Sequence, residues 1–227
     1  GSSGSGKEAC ARTIHQESPR RDSSFVHVKC SMISEEELFG YENKQNFNRK
    51  KIGLFEKANR GTLYLDEICD LSLELQSKII HAVQQQLFKR IGGNHEISVD
   101  VRVVSSSSKN IKQQIEMGVL REDLYYRLGV VPIDMPDLKN HAQDIPDLVK
   151  YYMSSASAVL NKPIRILSDD AIASLQMYNW PGNLNELRNI IDWLLIMAPD
   201  NNDGIITSEM LPPEINYVSI DDNLNSI

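Results

Sequence analysis

The sequence contains no apolar run that approaches the length of a membrane span, about 18 residues. Its N-terminus also lacks the basic-then-apolar pattern of a secretory signal peptide. Only three cysteines occur, Cys10, Cys30 and Cys69, and they show no paired metal-ligand spacing. An odd, scattered set of cysteines is typical of reduced intracellular thiols. These absences predict a cytoplasmic protein with no membrane segment and no cysteine-based metal site.

An excess of basic charge is missing as well. The 227 residues include 24 Lys and Arg against 31 Asp and Glu, which gives a net charge of −7. Because the neutralisation of phosphates requires a basic patch, this balance predicts that the segment is not itself the main DNA-binding surface. The first residue is Gly1 rather than methionine, which favours a segment of a longer protein. The length suits one large domain or a domain and a half.

The most informative stretch is the opening GSSGSGKE, which has the form of a phosphate-binding loop. Glycines let the backbone curl so that consecutive N–H groups point at phosphate oxygens. Lys7 would reach the outer phosphates, and the helix that begins there would add its positive N-terminal end. The general pattern ends in Ser or Thr, whose hydroxyl contacts magnesium, so Glu8 is a departure from it. The candidate nucleotide-binding residues are Gly1, Ser2, Ser3, Gly4, Ser5, Gly6, Lys7 and Glu8.

The same Gly- and Ser-rich opening also matches a flexible linker left by cloning. Two neighbouring features favour the phosphate loop. The loop runs directly into a helical stretch, and an apolar strand with two acidic residues follows at GTLYLDEI, residues 61–68. A phosphate loop and an acidic strand in this order predict a nucleoside triphosphatase.

Asp66 and Glu67 stand at the end of that strand, where nucleotide-binding sheets place their ligands. The Asp66 carboxylate could hold magnesium directly or through water, and Glu67 could orient the attacking water. A helix cap or a solvated loop pair is the alternative interpretation of two adjacent acids. The phosphate loop upstream favours the functional interpretation.

The roles of two further sets of residues cannot be decided from their sequence pattern alone. The serines at 105–108 end the next strand and could place hydroxyls near the γ-phosphate, or they could form a plain strand-to-helix connection. Arg121 and Arg127 could stabilise charge on a transferred phosphoryl group, often from a neighbouring subunit. Their spacing of six residues does not put them on one helix face, so spacing alone favours an ordinary surface helix.

Strands alternate with helices as far as Pro136, which predicts an α/β domain with a mostly parallel sheet. Beyond Pro136 the periodic segments are all helical, which predicts a small helical second domain. From Pro199 the chain is polar and predicted to be loop-like, with a disordered tail at 221–227. The predicted strands are 25–30, 62–68, 99–108 and 130–135, the predicted helices are 7–15, 34–39, 54–59, 72–86, 110–117, 121–128, 145–160, 168–177 and 183–197, and 41–51 is predicted to be an exposed loop.

Eight motifs occur in the order seen in the AAA+ domains of bacterial enhancer-binding proteins, the sigma-54 activators: GSSGSGKE, ELFGYE, GLFEKANRGTLYLDEI, FKRIGG, VDVRVV, LREDLYYRLGVVPI, DIPDL and WPGNLNEL. The chain resembles this family from residue 1 to residue 213. The resemblance also accounts for Glu8, since the phosphate loop of that family ends in Lys-Glu. The fold that it implies is a P-loop AAA+ parallel sheet flanked by helices and followed by a helical lid. The implied domains are a nucleotide-binding subdomain without its first strand (1–136), a lid (137–198) and a linker toward a DNA-binding domain (199–227).

This resemblance implies a cytoplasmic, slow, Mg²⁺-dependent ATPase that works as a ring, usually a hexamer, in transcription regulation. Lys7 would bind the phosphates of ATP, Asp66 would coordinate Mg²⁺ and Glu67 would polarise water. Arg121 and Arg127 match the arginine fingers that reach into a neighbouring subunit, which reverses the preference from spacing alone. The resemblance also places a receiver domain, with a sensor kinase as its partner, before this unit and a helix-turn-helix DNA-binding domain after it.

The loop that touches the sigma factor is a clear departure from the family. Sigma-54 activators carry the sequence GAFTGA after the LFG motif, whereas residues 43–51 read NKQNFNRKK, which is shorter and lacks the motif. The sequence therefore predicts that the usual contact with sigma-54 is lost, with RNA polymerase kept as a candidate partner. The chain lacks this motif and contains the sequences YLDEI, VRVVSSS and VVPI. In these features it most resembles the NtrX-type response regulators of alphaproteobacteria, which are linked to nitrogen and redox control.

Two departures concern the residues around the catalytic acid. Lys29 stands where the family has an Asn that pairs with the catalytic Glu. A lysine there could hold Glu67 in a charge-assisted bond and make it a poorer base. The strand that carries the nucleotide sensor ends in Ser107 and Ser108, where an Asn is common in the family.

A third departure lies in the lid motif WPGNLNEL. Asn185 replaces the arginine that is expected to sense the γ-phosphate, and Arg188 lies three residues further on. These departures leave two functions open. One is a slow ATPase, and the other is a nucleotide-binding assembly module with little or no hydrolysis, in which ATP stabilises a dimer or a ring.

Overall fold

The computed structural model describes residues 1–42, 50–197 and 204–216. Strands alternating with helices, and then helices with few strands, occur in the order that the sequence predicts. Among the described residues, no helix combines the length and the apolar character that a membrane crossing needs.

Contacts within the chain divide it into two compact units, each with its own apolar core. The first unit comprises Gly1 and the segment Gly6–Asp134. The second comprises Ser2–Ser5 and the chain from Met135 onward. Four residues of the candidate phosphate loop therefore belong by their contacts to the second unit.

Helices and short strands alternate along the first unit, as expected for an α/β fold. In chain order the elements are α1 (Lys7–Gln16), β1 (Phe25–Lys29), α2 (Glu35–Phe39), β2 (Gly40–Glu42), β3 (Lys50–Ile52), α3 (Leu54–Lys57), β4 (Thr62–Asp66), α4 (Leu73–Gln85), β5 (Leu87–Lys89), β6 (Glu96–Ser98), β7 (Arg102–Ser105), α5 (Ile111–Glu116) and α6 (Glu122–Leu128). At the start of α2, Ser34 Oγ accepts from Glu37 N and the Glu37 carboxylate accepts from Ser34 N. These two reciprocal hydrogen bonds form a capping box.

A parallel three-stranded sheet in the order β1-β4-β7 lies at the centre of the first unit. Its middle strand is buried on both faces, with Leu63, Tyr64 and Leu65 at most 1% exposed. Because both faces of a parallel sheet are covered, such a strand has a near-continuous apolar sequence, here TLYL. The predicted parallel sheet is confirmed, although β4 ends at Asp66 rather than at residue 68.

Two predictions for the chain before residue 136 are wrong. Residues 130–135 form no strand, and Val130 and Val131 are 78% and 76% exposed. Apolar, β-branched composition is not enough, because a strand needs a neighbour to pair with and none of the described strands pairs with this run. The segment 41–51 is not simply a loop either, since β2 pairs antiparallel with β3. The residues between them, 43–49, lie outside the described part of the chain.

The second unit consists mainly of helices around an apolar core that includes Trp180. In chain order it contains a 3₁₀ segment (Leu138–Asp144), α7 (Ile145–Leu160), β8 (Ile166–Leu167), α8 (Asp169–Met177), α9 (Asn183–Met197), β9 (Ile205–Ile206), a second 3₁₀ turn (Ser208–Met210) and α10 (Pro213–Asn216). The three long helices match those predicted. Ser168 precedes α8, and its hydroxyl donates to the Ile206 carbonyl oxygen instead of accepting from the first turn of the helix.

The predicted linker at 199–227 is partly built into this unit. Ile206 is fully buried and Ile215 is 1% exposed, and both belong to the apolar core. The described part of this segment therefore has a structural role rather than acting as a polar spacer. Residues 198–203 and 217–227, which include the tail predicted to be disordered, lie outside the described residues.

Candidate functional site

The N-terminal loop has the backbone conformation that its glycines allow. Gly4 and Gly6 have φ angles of 74° and 86°, in the left-handed region that favours glycine. Gly6 immediately precedes α1, which begins at Lys7 as the sequence predicts. The first N–H groups of a helix lack partners within the helix and carry its positive end, so this position suits a phosphate group.

The Lys7 side chain lies at the carboxyl end of the central strand β4. Its ammonium group donates to the Gly1 carbonyl oxygen at 3.1 Å and lies 3.2 Å from Glu67 Oε1. The Lys7 side chain is only 11% exposed. Ligands of nucleotide-binding sheets sit at this end of the strands. The residue predicted to meet phosphates and the residue predicted to orient water are thus in direct contact.

Glu67 follows β4 with a φ angle of 57°. The left-handed region is uncommon for residues other than glycine, and such outliers cluster at functional sites. Glu67 Oε2 accepts hydrogen bonds from Ser108 N at 2.8 Å and Ser108 Oγ at 2.9 Å. Lys29, at the exposed end of β1, makes no ion pair with Glu67 among the described residues. The carboxylate is held by Lys7 and Ser108, so the expected bond from Lys29 is absent there.

Asp66, the last residue of β4, is anchored through one carboxylate oxygen. Its Oδ1 accepts hydrogen bonds from the Tyr64 hydroxyl at 2.9 Å and from the Ser106 hydroxyl at 2.7 Å. Burial acts to raise the pKa of Asp66, but the hydrogen bonds from Ser106 and Tyr64 outweigh it and leave that pKa below its ordinary value. Burial also raises the pKa of Tyr64 well above its usual range. Asp66 is therefore ionised at neutral pH, as a metal ligand must be.

His27 on β1 is a further polar residue at this place, and none of the sequence motifs indicates it. Its Nδ1 lies 3.5 Å from Glu8 Oε1, and its Nε2 lies 3.5 Å from Asp66 Oδ2. The imidazole ring packs against the Tyr64 ring with the centroids 5.0 Å apart. His27 is in register with Tyr64 across the sheet. Strand alternation could have found it, because residues 64 and 66 share one face of β4 and their neighbours on β1 share that face too.

The two candidate sensor serines have different contacts. Ser108 binds the Glu67 carboxylate through its hydroxyl and its backbone N–H. The Ser107 hydroxyl instead accepts from Lys109 N at 3.0 Å and lies 3.4 Å from Cys69 Sγ. Only Ser108 of this pair therefore touches a predicted catalytic residue in the described structure.

Arg121 and Arg127 are exposed on the first unit and contact none of the other predicted site residues that the structure describes there. Arg121 is the residue before α6 and forms two hydrogen bonds with the Asp123 carboxylate, at 3.0 and 2.8 Å. Arg127 donates to the Val83 carbonyl oxygen at 3.4 Å. Within the first unit, both arginines therefore bind groups other than Lys7, Asp66 and Glu67.

In the second unit, Asn183 connects the loop residues Ser2 and Ser3 to the helices, a role that its motif does not predict. The side chain is 3% exposed. Its Nδ2 donates to Ser2 Oγ at 2.9 Å and to the Ser3 carbonyl oxygen at 3.0 Å, while its Oδ1 accepts from Leu138 N at 2.8 Å. The residue has a φ angle of 53°, which Asn tolerates better than most residues. The position of Asn183, directly after Gly182 at the start of a helix, is the sequence feature that could have indicated this role.

The predicted sensor residues of the second unit lie on α9. Asn185 is exposed, and a Cβ atom placed on Gly4 would lie 3.4 Å from its Cβ. Arg188 is also exposed and lines a cavity of 270 Å³ together with Tyr152 and Asp192. Asn185 therefore lies beside the loop segment of this unit, whereas Arg188 faces the cavity.

Two protein families match the sequence. Residues 1–134 match the sigma-54 interaction domain, and residues 139–225 match the AAA+ ATPase lid domain. The chain is 42% identical over 219 residues to the nitrogen assimilation regulatory protein NtrX of Azorhizobium caulinodans, covering 95% of this chain and 48% of that protein. It is 38% identical over 221 residues to the regulatory protein AtoC of Escherichia coli, covering 95% of this chain and 47% of that protein.

Solved structures of an NtrX protein are also similar to this chain. NtrX from Brucella abortus in complex with ATP has a TM-score of 0.85 at 40% identity, covering 96% of this chain and 51% of that one. The complex of the same protein with ADP has a TM-score of 0.85 at 39% identity, covering 95% of this chain and 49% of that one. The chain thus spans about half the length of the relatives it matches. It belongs to the sigma-54 interaction domain family and has the P-loop AAA+ fold, a parallel sheet flanked by helices and followed by a helical lid domain.

Proposed function

We propose that this chain is the ATP-binding and slowly ATP-hydrolysing module of a transcription regulator of the response-regulator type, which acts in the cytoplasm as a ring of identical chains. The observation that carries the proposal is the ion pair between Lys7 and Glu67 at the carboxyl end of the central strand, directly after Asp66. The similar NtrX of Brucella abortus has been crystallised with ATP and with ADP, which supports nucleotide binding here.

In this proposal the Lys7 ammonium moves from Glu67 to the outer phosphates of ATP. That movement releases Glu67 Oε1, which can then orient a water molecule for attack on the γ-phosphorus and take up its proton. Ser108 keeps its two hydrogen bonds to Oε2 and so fixes the direction of the carboxylate. The backbone of Glu67, with its φ angle of 57°, supports this role. Such a strained conformation is costly, and it persists mainly at functional sites.

Arg121 and Arg127 are proposed to act on the site of a neighbouring chain. Both are exposed, and neither contacts the predicted catalytic residues of its own chain that the structure describes. A guanidinium group supplied in trans stabilises the charge that develops on the transferred phosphoryl group. A complete site would then require an assembly, either a hexameric ring or a dimer.

The donor atoms around Asp66 fit Mg²⁺. This ion usually binds one or two carboxylates together with phosphates and water. The described residues contain no cluster of three His, Cys, Asp or Glu side chains that would cage a metal by protein groups alone. Asp66 would hold the ion, with Oδ1 anchored by the hydroxyls of Tyr64 and Ser106 and Oδ2 lying 3.5 Å from His27 Nε2. Bound Mg²⁺ would neutralise charge on the phosphate oxygens.

A direct test is the ATP turnover of Lys7→Ala compared with Lys150→Ala. Lys150 is an exposed lysine of the second unit that pairs with Asp147. Loss of the ammonium at position 7 removes the phosphate contact, so turnover should disappear in that variant and persist in the control. Turnover of Lys7→Ala at the wild-type rate would contradict the proposal.

A second candidate function is nucleotide-dependent assembly with little hydrolysis. The observation that favours it is the double hydrogen bond from Ser108 to Glu67, because a carboxylate already engaged by several donors is less available to water. Under this alternative, ATP would shift the oligomeric state without being consumed. Brisk turnover by the wild-type chain would rule it out.

The module is also proposed not to remodel sigma-54 polymerase through the usual loop. Residues 43–51 lack the GAFTGA sequence, and 43–49 lie outside the described residues. Other contacts with RNA polymerase are compatible with the proposal, as are a sensor kinase and DNA bound through receiver and helix-turn-helix domains outside this sequence. ATP-dependent open-complex formation at a sigma-54 promoter would contradict it.

A further inference from the structure

Two hydroxyl groups meet at one oxygen of Asp66. The Ser106 hydroxyl donates to Asp66 Oδ1 at 2.7 Å, and the Tyr64 hydroxyl donates to the same atom at 2.9 Å. The two hydroxyl oxygens are themselves 2.9 Å apart. The proposed function uses Asp66 to hold the metal ion, but it does not explain why two hydroxyls should converge on a single carboxylate oxygen.

The backbone holds both hydroxyls in place. Ser106 N donates to the Leu65 carbonyl oxygen at 3.0 Å, and the Ser106 carbonyl oxygen accepts from Ile68 N at 2.9 Å. Tyr64 is 1% exposed and lies on β4 two residues before Asp66, so the two side chains share one face of the strand. Neither hydroxyl can therefore leave the carboxylate without a change in the sheet.

These contacts leave the carboxylate little capacity for a cation. An ionised carboxylate has about four sites at which it accepts hydrogen bonds or binds cations, two on each oxygen. The hydroxyls of Tyr64 and Ser106 take both sites of Oδ1. His27 Nε2 lies 3.5 Å from Oδ2 and faces one of the two sites there. One site on one oxygen of Asp66 remains for a cation or for a water bound to it.

A carboxylate with one available oxygen suits Mg²⁺ better than Ca²⁺. Mg²⁺ demands octahedral geometry with bonds of about 2.0 to 2.1 Å, and it uses one or two carboxylates together with phosphate oxygens and water. Ca²⁺ is larger, takes about six to eight oxygen ligands, and can bind both oxygens of one carboxylate. Occupation of Asp66 Oδ1 by hydroxyls therefore removes a binding mode that is open to Ca²⁺.

We propose that the hydroxyl pair of Tyr64 and Ser106 sets the cation specificity of this site: by occupying Asp66 Oδ1 it restricts the carboxylate to one oxygen and favours Mg²⁺ over Ca²⁺ in the complex with nucleotide. Tyr64 and Ser106 are positioning residues, since they act on the ion through Asp66. The inference rests on the proposed nucleotide binding and adds to it the residues that select the metal.

The test measures the dissociation constant of a fluorescent, non-hydrolysable ATP analogue at saturating Mg²⁺, at saturating Ca²⁺ and in EDTA. Tyr64→Phe and Ser106→Ala each remove one hydroxyl and little else. The ratio of the Ca²⁺ to the Mg²⁺ dissociation constant should fall about tenfold in either variant, as is typical when a residue that supports a metal ligand is lost. Ser107→Ala is the matched control and should keep the wild-type ratio, because that hydroxyl contacts Lys109 and Cys69.

The ratio distinguishes a loss of specificity from a general loosening of the site. Loosening would weaken the complexes with both ions alike and leave the ratio unchanged. Equal ratios in the wild type, Tyr64→Phe and Ser106→Ala overturn the inference, and so does a wild type that binds the two complexes equally well. A fall in Ser107→Ala as large as that in Ser106→Ala also overturns it, because the effect would not depend on the contact with Asp66.

The binding measured across the three conditions separates this inference from the proposed function. If the analogue binds and the ratio does not depend on the hydroxyl pair, the inference fails and nucleotide binding stands. If the analogue binds in none of the conditions, the proposed function fails, and calorimetric titrations with Mg²⁺ alone and with Ca²⁺ alone then decide the inference. A preference for Mg²⁺ that depends on Tyr64 and Ser106 supports it, and the absence of such a preference overturns it.

Discussion

Lys7 Nζ lies 3.2 Å from Glu67 Oε1, in an ion pair whose side chains are 11% and 25% exposed. The cation predicted to meet the phosphates and the carboxylate predicted to orient water are therefore each other's partners. In the proposed function, phosphate oxygens would compete with Glu67 for the ammonium group. Occupation of the site and release of the carboxylate are then two consequences of one movement.

Removing the charge of Glu67 should separate binding from hydrolysis. In Glu67→Gln the phosphates no longer compete with a carboxylate for Lys7, so ATP should bind several-fold tighter while turnover is lost. Fluorescence titration with a labelled nucleotide and a phosphate-release assay measure the two effects. Glu17→Gln, at the exposed end of α1, is the matched control and should change neither. Weaker binding in Glu67→Gln would contradict this account of the ion pair.

The hydroxyl of Ser108 should matter more than that of Ser107. Ser108→Ala removes one of two hydrogen bonds that fix Glu67 Oε2, so kcat should fall about three- to tenfold with KM little changed, because one such bond contributes about 1 kcal/mol. Ser107→Ala is the control, since that hydroxyl contacts Lys109 and Cys69 instead. Steady-state ATP hydrolysis checks both variants. Equal effects of the two substitutions would show that the contact with Glu67 is unimportant.

Asn183 should be critical for the stability of the second unit. Asn183→Ala leaves the buried Leu138 N–H without its acceptor and places Ala at a φ angle of 53°. The free energy of unfolding should fall by about 2 to 3 kcal/mol, measured by urea denaturation. Asn185→Ala, two residues along the same helix and exposed, should cost less than about 0.5 kcal/mol. A similar cost for both variants would contradict the role assigned to Asn183.

The cysteines should differ in reactivity. Burial raises the pKa of Cys30 to about 12 and also raises the pKa of Cys69, whereas Cys10 is partly exposed. Iodoacetamide at pH 8.5 should therefore label Cys10 first, as peptide mass spectrometry would show, because the thiolate is the reactive form. Labelling of Cys30 in the folded protein at the rate of Cys10 would contradict the burial described.

The same shift makes folding stability depend on alkaline pH. The folded state keeps the Cys30 proton up to a pKa of about 12, whereas the unfolded chain loses it near the ordinary value of 9.0. The contribution of Cys30 is thus fully present below pH 9.0 and is lost as the pH rises through about 12. Cys30→Ala should reduce the slope of the free energy of unfolding against pH across this window. An unchanged slope would show that Cys30 does not cause it.

The layout of the fold could be predicted because its signals are local. The TLYL run of β4 and the apolar periods of α4, α7 and α9 each carry their own pattern, and these elements occur where the sequence predicts them. The short hairpin β5–β6 escaped prediction, since three-residue strands contain too few positions to show alternation. Residues 130–135 failed for the opposite reason. Their sequence is typical of a strand, but a strand forms only beside a partner strand, and the local sequence does not show whether a partner is present.

Only those residues of the candidate site that belong to sequence motifs could be predicted. The loop and the acidic strand indicate Lys7 and Glu67 as candidates, but their mutual ion pair could not be predicted, because it depends on how α1 packs against β4. The network of Tyr64, Ser106 and His27 around Asp66 crosses three strands. Finding it requires the register of those strands, which a single sequence does not supply.

The most direct test of the account is ATP turnover per chain as a function of protein concentration, with Lys7→Ala and Arg121→Ala measured alone and mixed in equal amounts. If Arg121 completes the site of a neighbour, turnover of the wild type rises with concentration and each variant alone is inactive. The mixture should then recover about a quarter of wild-type turnover, because only a chain with Lys7 beside a chain with Arg121 forms an intact site. Turnover that is independent of concentration, or a mixture that recovers nothing while the wild type is active, would contradict a site shared between chains.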